Sequence, residues 1–161
     1  MDMAPIRTGI RLEIPGSENL TIKQLILDFT GTLSRDGTML PGVAERLQKL
    51  ARHLHITVLT ADTFGMAAGQ LAPLPVDLHL IQTGRDKAVF MTGLTKSETA
   101  AIGNGRNDVE MIRMAGLGIA VIESEGCAGE LIAAARIVCH DITTALDLLL
   151  KPLRVKATLR D

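Results

Sequence analysis

The chain has 161 residues, 47% of them hydrophobic, with 17 basic and 18 acidic side chains and a formal charge of −1. That length and apolar content suit one domain with one packed core, and the charge balance argues against bulk attraction to nucleic acid or an anionic membrane. Three Phe, with no Trp and no Tyr, leave little to build a base-stacking platform or an aromatic sugar site.

The apolar stretches are far shorter than the roughly 20 residues needed to span a bilayer. The opening Met1-Asp2-Met3-Ala4-Pro5 lacks the basic-then-apolar pattern of a leader. Cys127 and Cys139 lie in apolar surroundings without metal-type spacing, which fits free thiols in a cytoplasmic protein.

In chain order, Ile10 to Ile14 alternates apolar and polar before the turn Pro15-Gly16-Ser17-Glu18-Asn19. With Thr21 to Asp28 it reads as a β-hairpin leading into the first core strand. Arg35-Asp36-Gly37-Thr38 marks a second turn and a small flap. Pro41-Gly42-Val43 opens a helix whose apolar positions Val43, Leu47, Leu50 and Leu54 share one face. Ile56 to Thr60 is a β-branched strand, Thr63 to Leu71 a helix stopped by Pro73 and Pro75, and Val76 to Ile81 a strand. A helix is expected over about Asp86 to Met91, a strand over Thr99 to Ile102, and a helix over Asn107 to Ala115. Leu117 to Ile122 and Ile137 to Cys139 read as strands, separated by a helix from Cys127 to Ala135. Ile142 to Leu150 is a closing helix, and the basic tail 152–161 is expected to fray. This alternation predicts a doubly wound α/β fold with a parallel sheet of five or six strands, an N-terminal hairpin and no large cap.

Four short segments at the ends of these strands carry chemistry: Asp28-Phe29-Thr30-Gly31-Thr32, Thr60-Ala61-Asp62, Gly84-Arg85-Asp86-Lys87 and Gly103-Asn104-Gly105-Arg106-Asn107-Asp108. Ligands of open α/β sheets bind beyond the carboxyl ends of the strands, so these segments are placed to converge. A carboxylate there can serve as a nucleophile, with hydroxyls, amides and a lysine to neutralise a phosphoryl group. Each segment alone has a plainer reading. Asp28 and Thr30 could cap a turn, Asp62 could be a helix N-cap, Lys87 could be a solvated helix residue, and Asp108 could simply favour a helix start.

Taken together and in this order, the four segments resemble the motifs of the haloacid dehalogenase-like phosphotransferases. The Thr-Gly-Thr after Asp28, Thr60-Ala61-Asp62, and Gly103 to Asp108 followed by Ala115-Gly116-Leu117-Gly118-Ile119-Ala120 look most like the phosphorylation domain of P-type ATPases. The resemblance runs over about residues 22 to 150. It implies that Asp28 is the catalytic nucleophile and a magnesium ligand, and that Thr30 offers its backbone carbonyl to the metal. It further implies that Thr60 binds a phosphoryl oxygen and that Lys87 neutralises phosphoryl charge and orients Asp28. Phe29, Thr30, Thr60, Ala61, Lys87 and Asn107 would surround the phosphate, and Asn104 and Asp108 would complete the metal cluster.

Three features depart from that family. Only the 31 residues 29 to 59 separate Asp28 from Thr60, where the pumps insert a nucleotide-binding domain. Asn104 stands where a metal-binding Asp is usual. Thr30 stands where the family's phosphatases carry a second Asp, a general acid–base typically worth about 10²- to 10⁴-fold. The expectation is a magnesium-dependent phosphatase or phosphotransferase that turns over slowly through an aspartyl phosphate on Asp28. The alternative is a non-catalytic or slowly cycling regulatory module with the same fold. The phosphorylated substrate could be small or macromolecular, no nucleic-acid or membrane partner is expected, and an open site is compatible with a homo-oligomer.

Overall fold

A computed structural model describes residues 6–161; the N-terminal pentapeptide read above for a leader lies outside them. A short antiparallel hairpin comes first, with β1 (Ile10–Leu12) paired to β2 (Leu20–Ile22). The hairpin does not run on into the core strand as expected. The chain breaks at Lys23, whose N–H donates to the Glu98 carbonyl, and β3 (Gln24–Leu27) starts a different sheet. A second small hairpin, β4 (Ser34–Arg35) with β5 (Thr38–Met39), is the anticipated flap.

Further along come α1 (Val43–Leu50), β6 (His55–Thr60), α2 (Ala67–Leu71), β7 (Asp77–Leu80), α3 (Gly84–Met91), β8 (Thr99–Gly103) and α4 (Val109–Met114). The chain finishes with β9 (Leu117–Val121), α5 (Gly129–Ala134), β10 (Ile137–Cys139), α6 (Ile142–Leu150) and α7 (Pro152–Leu159).

The main sheet has six parallel strands in the order β10-β9-β8-β3-β6-β7. Strands buried on both faces read as continuous apolar runs, and Leu25-Ile26-Leu27 is one. Alternation along β3 sends Leu25 and Leu27 into one core with Val43, Leu47 and Leu146, while Ile26 enters a second core with Met91, Ile112 and Leu131. Helices α1 and α6 thus cover one face and α3, α4 and α5 the other. After β3 the chain builds outward through β6 and β7, then returns to the far side of β3 for β8, β9 and β10. The crevice beyond β3 is therefore a topological switch point.

Two helix expectations change. The helix expected from Thr63 begins only at Ala67, because Asp62 and Gly65 adopt left-handed backbone with φ of 52° and 68°. The tail from residue 152, expected to fray, is the helix α7. Pro152 occupies its first turn, where a fixed φ favours the helix and the missing N–H costs nothing. Val155 is then fully buried and Leu159 packs against the same core, one turn apart on one face. Of the basic residues that suggested fraying, Lys151 and Arg160 flank the helix and Arg154 is exposed on it.

Candidate active site

Asp28 follows the last residue of β3, and its N–H donates to the carbonyl of Ile102 on neighbouring β8 at 3.1 Å. This bond extends the ladder by one residue and fixes the carboxylate at the sheet's edge. The chain then turns sharply: Thr32, Leu33 and Ser34 all donate backbone N–H groups to the Phe29 carbonyl. Gly31 makes the turn possible, with φ of 75° and a position at which any Cβ would collide with the Asn104 amide.

Lys87 reaches the same point from the first turns of α3. Thr83 and Asp86 form a reciprocal cap there, the Thr83 hydroxyl accepting from the Asp86 N–H and the Asp86 carboxylate from the Thr83 N–H. Gly84 lets this helix start press against the Asn107 backbone, where a Cβ would stand 2.6 Å from the Asn107 carbonyl oxygen. Helix α3 and the turn after β8 are thereby locked together.

The resulting centre is a buried charge triad. Lys87 Nζ lies 2.8 Å from Asp28 Oδ1 and 2.6 Å from Asp108 Oδ1, and the lysine and Asp108 side chains have no exposure. The other Asp108 oxygen accepts the N–H groups of Asn104 and Gly105 at 3.1 and 3.0 Å. The second Asp28 oxygen accepts from the Thr32 hydroxyl at 3.0 Å, and that hydroxyl oxygen also lies 3.1 Å from Asn104 Oδ1. Two carboxylates and one ammonium leave one net negative charge in a desolvated pocket. Burial, and then the Asp108 charge, push Asp28 up to about 6 despite Lys87 and Thr32. Burial works against the Lys87 charge as well, but the two carboxylates outweigh it and hold the ammonium above its ordinary value.

Asp28 opens onto a cavity of about 240 Å³ whose walls include Thr30, Thr60, Ala61, Asn104, Asn107 and Glu125. The Thr60 hydroxyl accepts the Asp62 N–H at 2.9 Å, which leaves its own proton free to point at a ligand. Asp62 is not the N-cap that the plainer reading allowed, since Met66 holds that position. Its carboxylate nonetheless accepts the N–H groups of Met66 and Ala67 at 3.0 Å and so still ties down the start of α2.

The structure thus brings together Asp28, Thr30, Thr60, Ala61, Asn104 and Asn107 around one cavity, with Lys87 behind Asp28. Besides Lys87, two expected site residues stand apart from the cavity wall. The Phe29 ring is fully buried in the core, and Asp108 faces Lys87 and backbone amides. Two others were missed. Thr32 sits four residues after Asp28 inside the motif, and its hydroxyl could have been read as a partner for that carboxylate. Glu125 lies in the loop after β9, and only the parallel order of β9 beside β8 brings that loop to the site.

Asp28, Thr30 and Asn104 line the same cavity, and the oxygen atoms they carry are a carboxylate, a hydroxyl, a side-chain amide carbonyl and main-chain carbonyls. Such a set suits magnesium, which prefers hard oxygen ligands, and the uncompensated negative charge of the triad favours a cation. Among the described residues no three His, Cys, Asp or Glu side chains converge on one metal position, so protein carboxylates alone would not enclose an ion. A larger cavity of about 510 Å³, lined by Leu20, Lys96 and Gly116, opens at the opposite ends of β8 and β9, away from these carboxylates.

Residues 83–143 match the family of haloacid dehalogenase-like hydrolases. A protein of Methanocaldococcus jannaschii whose function is uncharacterised is 52% identical over 61 residues, a stretch that is 38% of this chain and 66% of that protein. The fold is similar to that of 3-deoxy-D-manno-octulosonate 8-phosphate phosphatase from Moraxella catarrhalis, a structure containing magnesium and phosphate ions. The likeness has a TM-score of 0.63 at 21% identity and covers 81% of this chain and 87% of the other. A zinc-transporting P-type ATPase is similar with a TM-score of 0.62 at 22% identity, over 74% of this chain but 20% of the pump. Among the described residues no helix is long and apolar enough to cross a membrane.

Proposed function

This chain has the haloacid dehalogenase-like hydrolase fold, and on that premise we propose that it is a magnesium-dependent phosphatase acting through an aspartyl phosphate on Asp28. The observation that carries the reading is the buried Asp28–Lys87–Asp108 triad at the switch point of the sheet. In its ionised form Asp28 presents a carboxylate to the cavity, positioned by Lys87 on one oxygen and by Thr32 on the other. Attack on the phosphorus of a phosphate monoester forms the acyl phosphate and releases the alcohol. Thr60 donates to a phosphoryl oxygen, the backbone at Ala61 and the Asn107 side chain line the same wall, and Lys87 supplies positive charge from behind.

Asp28, the Thr30 carbonyl and Asn104 would hold magnesium, which when bound would neutralise phosphoryl charge. Asp108 contributes by fixing Lys87 and the backbone of residues 104 and 105. With Asn104 in place of a carboxylate, magnesium is held weakly. The test is hydrolysis of p-nitrophenyl phosphate with and without magnesium, in the parent and in Asp28→Asn. Metal-dependent turnover abolished by the substitution supports the proposal, and turnover that survives in Asp28→Asn overturns it.

A further inference from the structure

The proposed mechanism needs a group that takes a proton from the water attacking the acyl phosphate, and Thr30 is too weak a base for that. Asp28 is itself the acylated group in that step. Among the residues lining the cavity, Glu125 is then the only remaining carboxylate, and no His, Cys or Lys lines it. Resting on the aspartyl-phosphate reading, we propose that Glu125 is the general base that activates water for breakdown of the acyl phosphate.

The loop that carries Glu125 is tied to the site at several points. Asn104 donates its amide N–H to the Gly126 carbonyl at 3.1 Å, and the Ala128 N–H donates to the Asn104 carbonyl at 2.8 Å. The Gly126 N–H closes the turn on the Glu123 carbonyl at 2.8 Å, and Gly126 has the left-handed φ of 83° that such a turn requires. From the opposite side the flap reaches over, its Asp36 N–H 3.3 Å from Glu125 Oε2. The carboxylate is held by the flap and its loop backbone by Asn104, on the rim of the cavity that Asp28 opens into. It does not join Asp28 and Asp108 in a three-carboxylate cluster, so its position fits a base acting on water better than a third ligand on the metal.

In the first half-reaction the Asp28 carboxylate bonds to phosphorus as the ester P–O bond breaks. That bond's electron pair leaves on the ester oxygen, which takes a proton from solvent to give the alcohol (or stays as nitrophenolate with the test substrate). In the second, water bonds to phosphorus, its proton passes to the Glu125 carboxylate, and the acyl P–O bond breaks to return Asp28. Glu125 then releases the proton to solvent, leaving inorganic phosphate.

The test is rapid-mixing kinetics with p-nitrophenyl phosphate and saturating magnesium, comparing the parent, Glu125→Gln and Asp28→Asn. Expected for Glu125→Gln is a retained burst of one nitrophenolate per site, followed by steady turnover reduced about a hundredfold or more, with acyl phosphate accumulating. Glu125→Asp should recover part of the steady rate. Parental steady turnover in Glu125→Gln, or loss of the burst itself, overturns the role of Glu125 alone. A loss that excess magnesium restores also overturns it, by making Glu125 a metal ligand. A parent that hydrolyses the ester without ever forming an acyl phosphate overturns the aspartyl-phosphate reading, and Glu125's role with it.

Discussion

At the scale of single residues, the site is governed by two buried carboxylates sharing one ammonium. Asp28 titrates near 6 in the folded chain against 3.8 when unfolded, chiefly through burial and then the Asp108 charge. Between those values the folded state binds the proton more tightly, so stability falls as pH rises through that window. Activity runs the other way, because only the ionised carboxylate is a nucleophile. We predict that kcat/KM at low magnesium climbs with pH through about 6 while the denaturant midpoint drops over the same range. Asp28→Asn removes that drop and is at least as stable as the parent at pH 7; a lower denaturant midpoint for the variant there would contradict this.

Lys87 carries the opposite prediction. Removing one partner of a buried charge network costs about 3–5 kcal/mol because the remaining charges are stranded. Lys87→Met should lose about that much in equilibrium unfolding at pH 7, and less at acid pH where Asp28 can take a proton. An equal loss at both pH values would show that packing rather than charge is at stake. The sequence pointed to Asp28, Thr60 and Lys87 because each sits at a strand end or helix start within a short ordered motif. It could not point to Glu125, which enters the site from a loop after β9 with no motif around it. Nor could it show that Asp108 turns away from the cavity, since that depends on two backbone N–H groups and Lys87 saturating its oxygens.

At the scale of elements, the strands were the most legible because β-branched and apolar runs that are buried on both faces have few other readings. Helix ends were the least legible, and for local reasons. The start of α2 is set by left-handed backbone at Asp62 and Gly65, which a periodicity of apolar residues does not register. The last helix was hidden by its basic residues. The basic character of residues 152–161 pointed to a frayed tail, but a proline in the first turn of a helix is a start, and Val155 and Leu159 supply the buried face. Fully burying a side chain of that size contributes about 1.5–3 kcal/mol. Val155→Ala should therefore lower stability by about 1–2 kcal/mol in denaturant titration, whereas Leu153→Ala, at a position 77% exposed, should change it little. A neutral Val155→Ala would mean that α7 does not dock on the core.

At the scale of the whole molecule, sheet order explains why four motifs scattered from residue 28 to 108 meet. Strand β3 is central, the chain leaves it in both directions, and the loops after β3, β6 and β8 open into the crevice at that reversal. The β1–β2 hairpin and α7 lie at the other end of the molecule, and the β4–β5 flap reaches the rim through Asp36 and Glu125. With only that flap and α1 between Asp28 and β6, the crevice has no large cap, and we expect small phosphate monoesters to enter without selection by a second domain. The most direct test of the central claim is to acid-quench the chain during turnover of a phosphate monoester and map the modified residue by mass spectrometry of its peptides. The account predicts one phosphoryl group on the peptide that begins the β3–β4 turn, at Asp28, labile to hydroxylamine and missing in Asp28→Asn. A phosphoryl group on any other residue, or turnover with unmodified Asp28 throughout, would contradict it.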